Sequence, residues 1–205
     1  MGVILTTRQK KTLQCIAESN VSKQFYFTGG TALASVYLHH RKSEDLDFFS
    51  EKEFDTRQIT STLKSLQSKL KFISYDFQQS FNRNIYMLRF AKKDILKLEF
   101  TFFPFHHIEK PLNIGGLLTD SIVDIATNKL FTIAQNPRGR DYFDLYYIIQ
   151  KYHYTLENLR MLAKQKFDWH VDPLQLGSRF HEVEKHLDDP ILIKHLKSTI
   201  IVKFF

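Results

Sequence analysis

The chain has 205 residues, 43% hydrophobic and 14% aromatic, enough for one large domain or two small ones with true cores. A lone cysteine, Cys15, excludes an intramolecular disulfide framework, and no apolar run approaches the roughly 20 residues that a membrane span needs. A formal charge of +7 suits a polyanionic partner without specifying one, because the basic residues are scattered and never run to five in a row.

The N-terminus, MGVILTTRQKK, lacks the basic-then-apolar order of a signal peptide, so a soluble, cytoplasmic protein is expected. Residues 6–23 carry helical spacing, with Leu13, Ile16 and Ala17 apolar against Arg8, Lys10, Lys11 and Glu18. Phe25–Thr28 reads as a strand, Thr31–His40 as a helix and Leu46–Phe49 as a second strand. Asp55 or Thr56 is placed to cap a helix running to about residue 70, with Ile59, Leu63, Leu66 and Leu70 on its buried stripe. Strands over about 72–79, 84–91 and 95–103 follow, the last two joined by a Lys92-Lys93-Asp94 turn. Beyond Pro111 the pattern changes. Gly115-Gly116 punctuates the chain, and about 120–135, 141–152, 155–167 and 174–187 read as helices. The expected class is α+β, with a mixed-sheet core over 1–112, a helical region over 113–205 and a ligand cleft between them. Nineteen Phe and nine Tyr against one Trp suggest an aromatic-rich interior and an aromatic-lined groove.

The most informative stretch is FYFTGGTALASVYLHHRKSEDLDFF. An aromatic strand ends in Gly29-Gly30-Thr31, and Asp45 follows 14 positions after Thr31. Residues two apart on a strand share a face, so Asp45 and Asp47 should converge beside the glycine turn while Leu46 packs the other way. Paired carboxylates repel and need a cation. Hard oxygen ligands suit Mg²⁺, which completes its shell with water and substrate phosphates. Glycines without Cβ let backbone N–H groups approach such phosphates, and Thr31 adds a hydroxyl. A Gly-Gly pair or a DxD pair alone is weak, but the combination on strand–turn–helix–strand resembles the signature of the DNA polymerase β superfamily of nucleotidyltransferases.

Glu99 lies in the strand ILKLEF, on the same face as Ile95 and Lys97, and is a candidate third carboxylate. The competing reading is a Lys97–Glu99 surface pattern. Lys129 borders the apolar face formed by Ile122, Ile125, Ala126, Leu130, Ile133 and Ala134. Arg138 and Arg140 make a fork for phosphate oxygens just before Asp141, with Asp144 one turn later. Asp141 could equally be a helix cap with an ion pair. The histidines, including His39-His40 and His106-His107, read as surface or cleft-edge residues without metal-ligand spacing.

GGTALASVYLHHRKSEDLDFF, KLEF, DIATNKLFTIA and RGRDYFDLYYI, in this order, resemble the AbiEii/AbiGii nucleotidyltransferases, which include toxins of type IV toxin–antitoxin and abortive-infection systems. The resemblance covers residues 25 to about 150. It implies a polymerase-β-like core in which Gly29, Gly30 and Thr31 cradle phosphate and Asp45 and Asp47 bind metal. It further implies that Lys129 contacts the nucleotide and that Arg138, Arg140 and Asp141 form the final basic-acidic motif. Thr31 stands where many relatives have Ser, and the third carboxylate, here Glu99, is variable. The expected activity is Mg²⁺-dependent transfer of NMP from an NTP to a hydroxyl, at a two-ion site, with an RNA or tRNA 3′ end, or equally a protein hydroxyl or a small molecule, as acceptor and an antitoxin as candidate partner. The alternatives are an inactive nucleotide- or RNA-binding protein on the same scaffold, or an interaction protein whose basic groove docks an acidic antitoxin.

Overall fold

The computed structural model describes residues 4–92, 94–186, 192–194 and 196–205. Helix α1 (Thr7–Ala17) starts at Thr6, whose hydroxyl accepts the Gln9 N–H while the Gln9 side chain accepts that of Thr6. It is shorter than the apolar spacing suggests. The Ser19 hydroxyl donates to the Ile16 carbonyl and competes with the helix ladder, and a 3₁₀ turn (Asn20–Lys23) leads into the sheet. Strand β1 (Tyr26–Thr28) runs into α2 (Gly29–Ala32), which passes directly into a π-helical turn, Leu33–Leu38, where a regular helix to His40 was expected. His39 ends this turn in the left-handed region at φ 53°. Strand β2 (Leu46–Ser50) follows, then α3 (Thr56–Leu70), capped by Asp55 and burying Ile59, Leu63 and Leu70.

β3 (Ser74–Ser80), β4 (Arg83–Ala91) and β5 (Asp94–Phe102) form an antiparallel meander. Lys93, in the expected turn, lies outside the described residues, and Ala91 pairs with Asp94. Residues 112–119 are a hairpin, β6 (Leu112–Ile114) and β7 (Leu117–Thr119), where only glycine punctuation was read. Gly115 and Gly116 sit at φ 61° and 86°, in the left-handed region that favours glycine at so tight a turn. The strands are too short to show alternation, which is why the expected boundary at 112/113 falls inside β6 and the helical part begins only at residue 122. That part comprises α4 (Ile122–Gln135), α5 (Gly139–Tyr152), α6 (Leu156–Phe167), α7 (Pro173–His181), a 3₁₀ turn (Val183–His186) and α8 (Ser198–Phe204). The expected helix to 187 is therefore split after His181, and Leu187 lies outside the described residues.

The seven strands make one mixed sheet, ordered β3-β4-β5-β2-β1-β7-β6, in which β2–β5 and β1–β7 are the parallel pairs. Alternation divides its centre into two faces. Leu46, Phe48, Tyr86, Leu88, Leu98 and Phe100 are buried on one, where the Tyr86 hydroxyl meets that of Thr60 in α3 at 2.7 Å. The other face is polar. Thr28 is level with Asp47, Asp47 with Glu99, and Glu99 with Ile85, so Lys97, Glu99, Asp47 and Arg83 share that face. A single cluster of buried side chains runs from Cys15 in α1 to Ile201 in α8. Helix α4 packs on α5, α6 and α7, and its near side closes over the polar face of the sheet.

Candidate active site

Between the polar face of the sheet and the α4–α5 corner lies a cleft of about 230 Å³. Gly29, Gly30, Asp45, Asp47, Lys97 and Glu99 line one wall, and Asn128, Lys129, Arg138, Arg140 and Asp141 face them. Phe49, Phe103, Phe131 and Phe167 also line it, so the groove is partly aromatic.

The two glycines have steric reasons to be glycine. Gly29 sits at φ 73°, and a Cβ there would overlap Asp47 Oδ2. A Cβ on Gly30 would overlap the guanidinium of Arg41. Thr31 lies behind this wall, fully buried. Its hydroxyl is 2.7 Å from that of Ser43 and donates a short hydrogen bond to the Asp45 carbonyl. Gln9 donates to the carbonyls of Ser43 (2.8 Å) and Glu44 (3.0 Å) from the other side. Asp45 is therefore not on strand β2, as its spacing from Asp47 suggested, but in the extended segment before it. The register explains this: β1 turns away at Gly29, so ladder pairing stops at Thr28–Asp47, and side chains rather than a strand take up the carbonyls preceding it.

The carboxylates sit in different electrostatic settings. The Asp47 carboxylate makes no hydrogen bond among the described residues. Burial, with Glu99 and Asp45 nearby, pushes its carboxyl up to about 6. Asp45 Oδ2 is 2.9 Å from Lys97 Nζ. Glu99 is gripped by both arms of Arg83, at 2.6 and 2.7 Å, with Lys97 at 3.3 Å. Burial works against its ionisation, but this guanidinium and Lys97 hold it below the usual carboxylate range.

The opposite wall is built on a buried four-charge cluster. Lys129 Nζ lies 2.6 Å from both Asp141 Oδ1 and Asp144 Oδ2. Asp141 also accepts the Arg138 backbone N–H at 3.0 Å, so it caps α5 as well as holding the lysine. Asp144 is fully buried and accepts Arg41 Nε at 2.7 Å and Nη2 at 2.9 Å, and it is 2.7 Å from His40 Nε2. Burial opposes its charge, but these cations hold its carboxyl well below the usual range. Burial pushes the His40 imidazole the other way, toward the neutral form. His40, read from sequence as a surface or cleft-edge residue, is thus a core residue, and Arg41, one of the scattered basic residues, is a buried strut between the glycine turn and α5. Asp144, noted in the sequence without a role, ties them to Lys129. Nothing local in HHRKS marks a buried cation, since its partner lies 103 residues away. Arg138 and Arg140 stand at the cleft margin, and Arg140 has no carboxylate partner among the described residues.

Among the described residues, no group of three or more His, Cys, Asp or Glu forms a ready metal cage. Asp45 and Asp47 supply a two-carboxylate oxygen set. This fits Mg²⁺, which leaves positions for water and phosphate, better than Ca²⁺, which wants more protein oxygens.

A mixed sheet with a Gly-Gly turn wedged against Asp47, facing the Lys129–Asp141 pair on a helical wall, is in keeping with a nucleotidyltransferase. Residues 11–200 match the family of nucleotidyl transferase AbiEii toxins of type IV toxin–antitoxin systems, and the chain belongs to that family. It is 31% identical over 167 residues to an uncharacterized protein of Aquifex aeolicus, aq_aa25, covering 80% of this chain and 76% of that one. In fold it is similar to JHP933 from Helicobacter pylori, with a TM-score of 0.61 and 23% identity over 96% of this chain and 90% of that one. A second H. pylori chain gives a TM-score of 0.60 at 23% identity, over 98% and 97%. No helix among the described residues is long and apolar enough to cross a membrane.

Proposed function

We propose that the enzyme transfers NMP from an NTP to the hydroxyl of an RNA 3′ end, with Mg²⁺ held by Asp45 and Asp47. The observation that carries this reading is the opposition across one cleft of two carboxylates beside a Gly-Gly turn and of Lys129, Arg138 and Arg140. A carboxylate-bearing wall for cations facing a cationic wall for phosphates is the charge pattern a metal-bound triphosphate requires. In the reaction the acceptor oxygen forms a bond to the α-phosphorus and the bond to the bridging oxygen of the β-phosphate breaks. Pyrophosphate leaves, and the hydroxyl proton passes to a cleft carboxylate or water. Mg²⁺, when bound, stabilises charge on the attacking and leaving oxygens.

The chain's own groups divide the remaining work. Gly29 and Gly30 make room for Asp47 and the Arg41 guanidinium at the cleft edge, and Thr31 positions Asp45 through its carbonyl. Lys129 donates to Asp141 and is ion-paired with Asp144, and these contacts hold it at the cleft wall, where it can meet a phosphate. Arg138 and Arg140 neutralise the departing pyrophosphate. The +7 charge is compatible with RNA as acceptor, and the family description suggests a cognate antitoxin as partner.

The acceptor is tested by incubating the protein with α-labelled NTP, Mg²⁺ and total RNA. The label is expected on RNA, and RNA binding should weaken by about 0.7 log units per log unit of salt for each phosphate contacted. Label on protein or a small molecule, with RNA binding indifferent to salt, would remove the RNA acceptor.

A further inference from the structure

Three carboxylates, Asp45, Asp47 and Glu99, line one wall of the cleft, and a single flexible cation, Lys97, stands among them. Their partners are unequal. Glu99 has its own counter-ion in the two-armed contact with Arg83. Asp45 has no side-chain partner but Lys97 among the described residues, at 2.9 Å, and the Asp47 carboxylate has no hydrogen bond there. Lys97 Nζ also lies 3.3 Å from Glu99 Oε2, so it bridges the DxD pair to the third carboxylate. The ammonium therefore sits against an oxygen that a divalent cation at Asp45 and Asp47 would use. An ammonium and a dication cannot share that oxygen without strong repulsion. Lysine is suited to leave, since its charge is compact and its four-carbon stem rotates freely, unlike the forked Arg83. The same cleft offers a new partner once nucleotide enters: phosphate oxygens beside the Gly29–Gly30 turn.

We propose that Lys97 is a resident counter-ion for the metal-binding carboxylates, exchanged for the divalent cation on nucleotide binding and transferred to the triphosphate. The exchange makes metal alone a poor ligand and metal with nucleotide a good one, because only the pair gives Lys97 somewhere to go. This rests on the assignment of metal to Asp45 and Asp47.

Mn²⁺ is the probe, followed by electron paramagnetic resonance without nucleotide, with wild type, Lys97→Met, Lys97→Arg and Asp45→Asn compared. Nucleotide affinity is measured separately with an NTP analogue whose α–β bridge cannot be cleaved. Lys97→Met should bind Mn²⁺ alone about tenfold more tightly than wild type, because the competing cation is gone. It should bind the analogue, at saturating Mg²⁺, about fivefold or more weakly, because a phosphate contact is gone. Lys97→Arg keeps the competition and should not tighten Mn²⁺ binding. If Lys97 only braces the strand, both affinities fall together in Lys97→Met, and that result, or an unchanged Mn²⁺ or analogue affinity, overturns the proposal. Should Lys97→Met fail to give a cooperative melt, Lys97→Gln carries the same opposite-sign expectation. Failure of the underlying metal site looks different: wild type would then bind no Mn²⁺ even with the analogue, and Asp45→Asn would change nothing.

Discussion

Lys129 stands between Asp141 and Asp144 at 2.6 Å from each, both carboxylates buried, so its removal leaves two negative charges facing each other in a low-dielectric interior. From sequence its loss would read as a weakened nucleotide contact, a rise in KM. The geometry adds a structural cost. Lys129→Met should lower unfolding free energy by about 3 kcal/mol in urea titrations, with Asp141→Asn, which leaves the Arg41–Asp144 pair intact, rescuing part of the loss. A loss below the error of the titration would mean that the cluster is not a structural unit. Asp45→Asn and Asp47→Asn should behave oppositely, abolishing transfer while melting no lower than wild type. Asp47 in particular carries a charge that burial and its neighbours disfavour. If either variant lost its cooperative melt, inactivity would say nothing about metal. At this scale the sequence was legible where chemistry is local: Gly29, Gly30, Asp45 and Asp47 are close in the chain, and a turn brings them together. It was illegible where charge pairing is long-range. Arg41 and Arg83 look like any surface arginine until Asp144 and Glu99 are folded against them.

Among elements, hairpin β3–β4 holds an unfavourable residue at its tip. Phe81 is 96% exposed and sits at φ 51°, a conformation costly for a residue with a bulky Cβ substituent. It buries nothing in exchange. Phe81→Asn, whose side chain tolerates that region, should raise stability by about 0.5–1 kcal/mol and the melting temperature by a few degrees. Destabilisation instead would mean that the ring packs in solution. The strong elements were readable: α3 from its apolar stripe and Asp55 cap, and the α4–α6 helices from their spacing. The elements missed were those whose pattern is too short or too local for periodicity to register, such as the three-residue strands β6 and β7. The π-helical turn after α2 was missed for another reason: an extra residue per turn shifts side chains without changing composition. That turn delivers His40 and Arg41 to Asp144.

At the scale of the whole molecule, a buried ion pair between two helices also anchors the chain that leaves the sheet. Lys166 of α6 reaches Asp124 of α4 at 2.6 Å, and Asp124 also accepts the backbone N–H groups of Ile108 and Glu109, which pins the chain leaving β5. Nearby, Asp120 is buried, and its carboxyl is pushed up to about 6 chiefly by burial, with the Asp124 charge adding to it and Lys166 opposing it. Its ordinary value is about 3.9, so this group's contribution to stability is complete below about pH 4 and is lost as pH rises through 6. Asp120→Asn should therefore gain about 2 kcal/mol over wild type at pH 8 and little at pH 4, an amide being able to accept the Thr28 hydroxyl as the carboxylate does. A gain independent of pH would contradict that origin. The central claim, that this cleft performs nucleotidyl transfer on carboxylate-held metal, is tested most directly by pyrophosphate release. Each of the four NTPs is supplied with Mg²⁺ and total RNA to wild type, Asp45→Asn and Asp47→Asn. Wild type should release pyrophosphate from at least one NTP, and both variants should fall to background. Release that survives in both variants, or that wild type fails to show with any NTP, would contradict it.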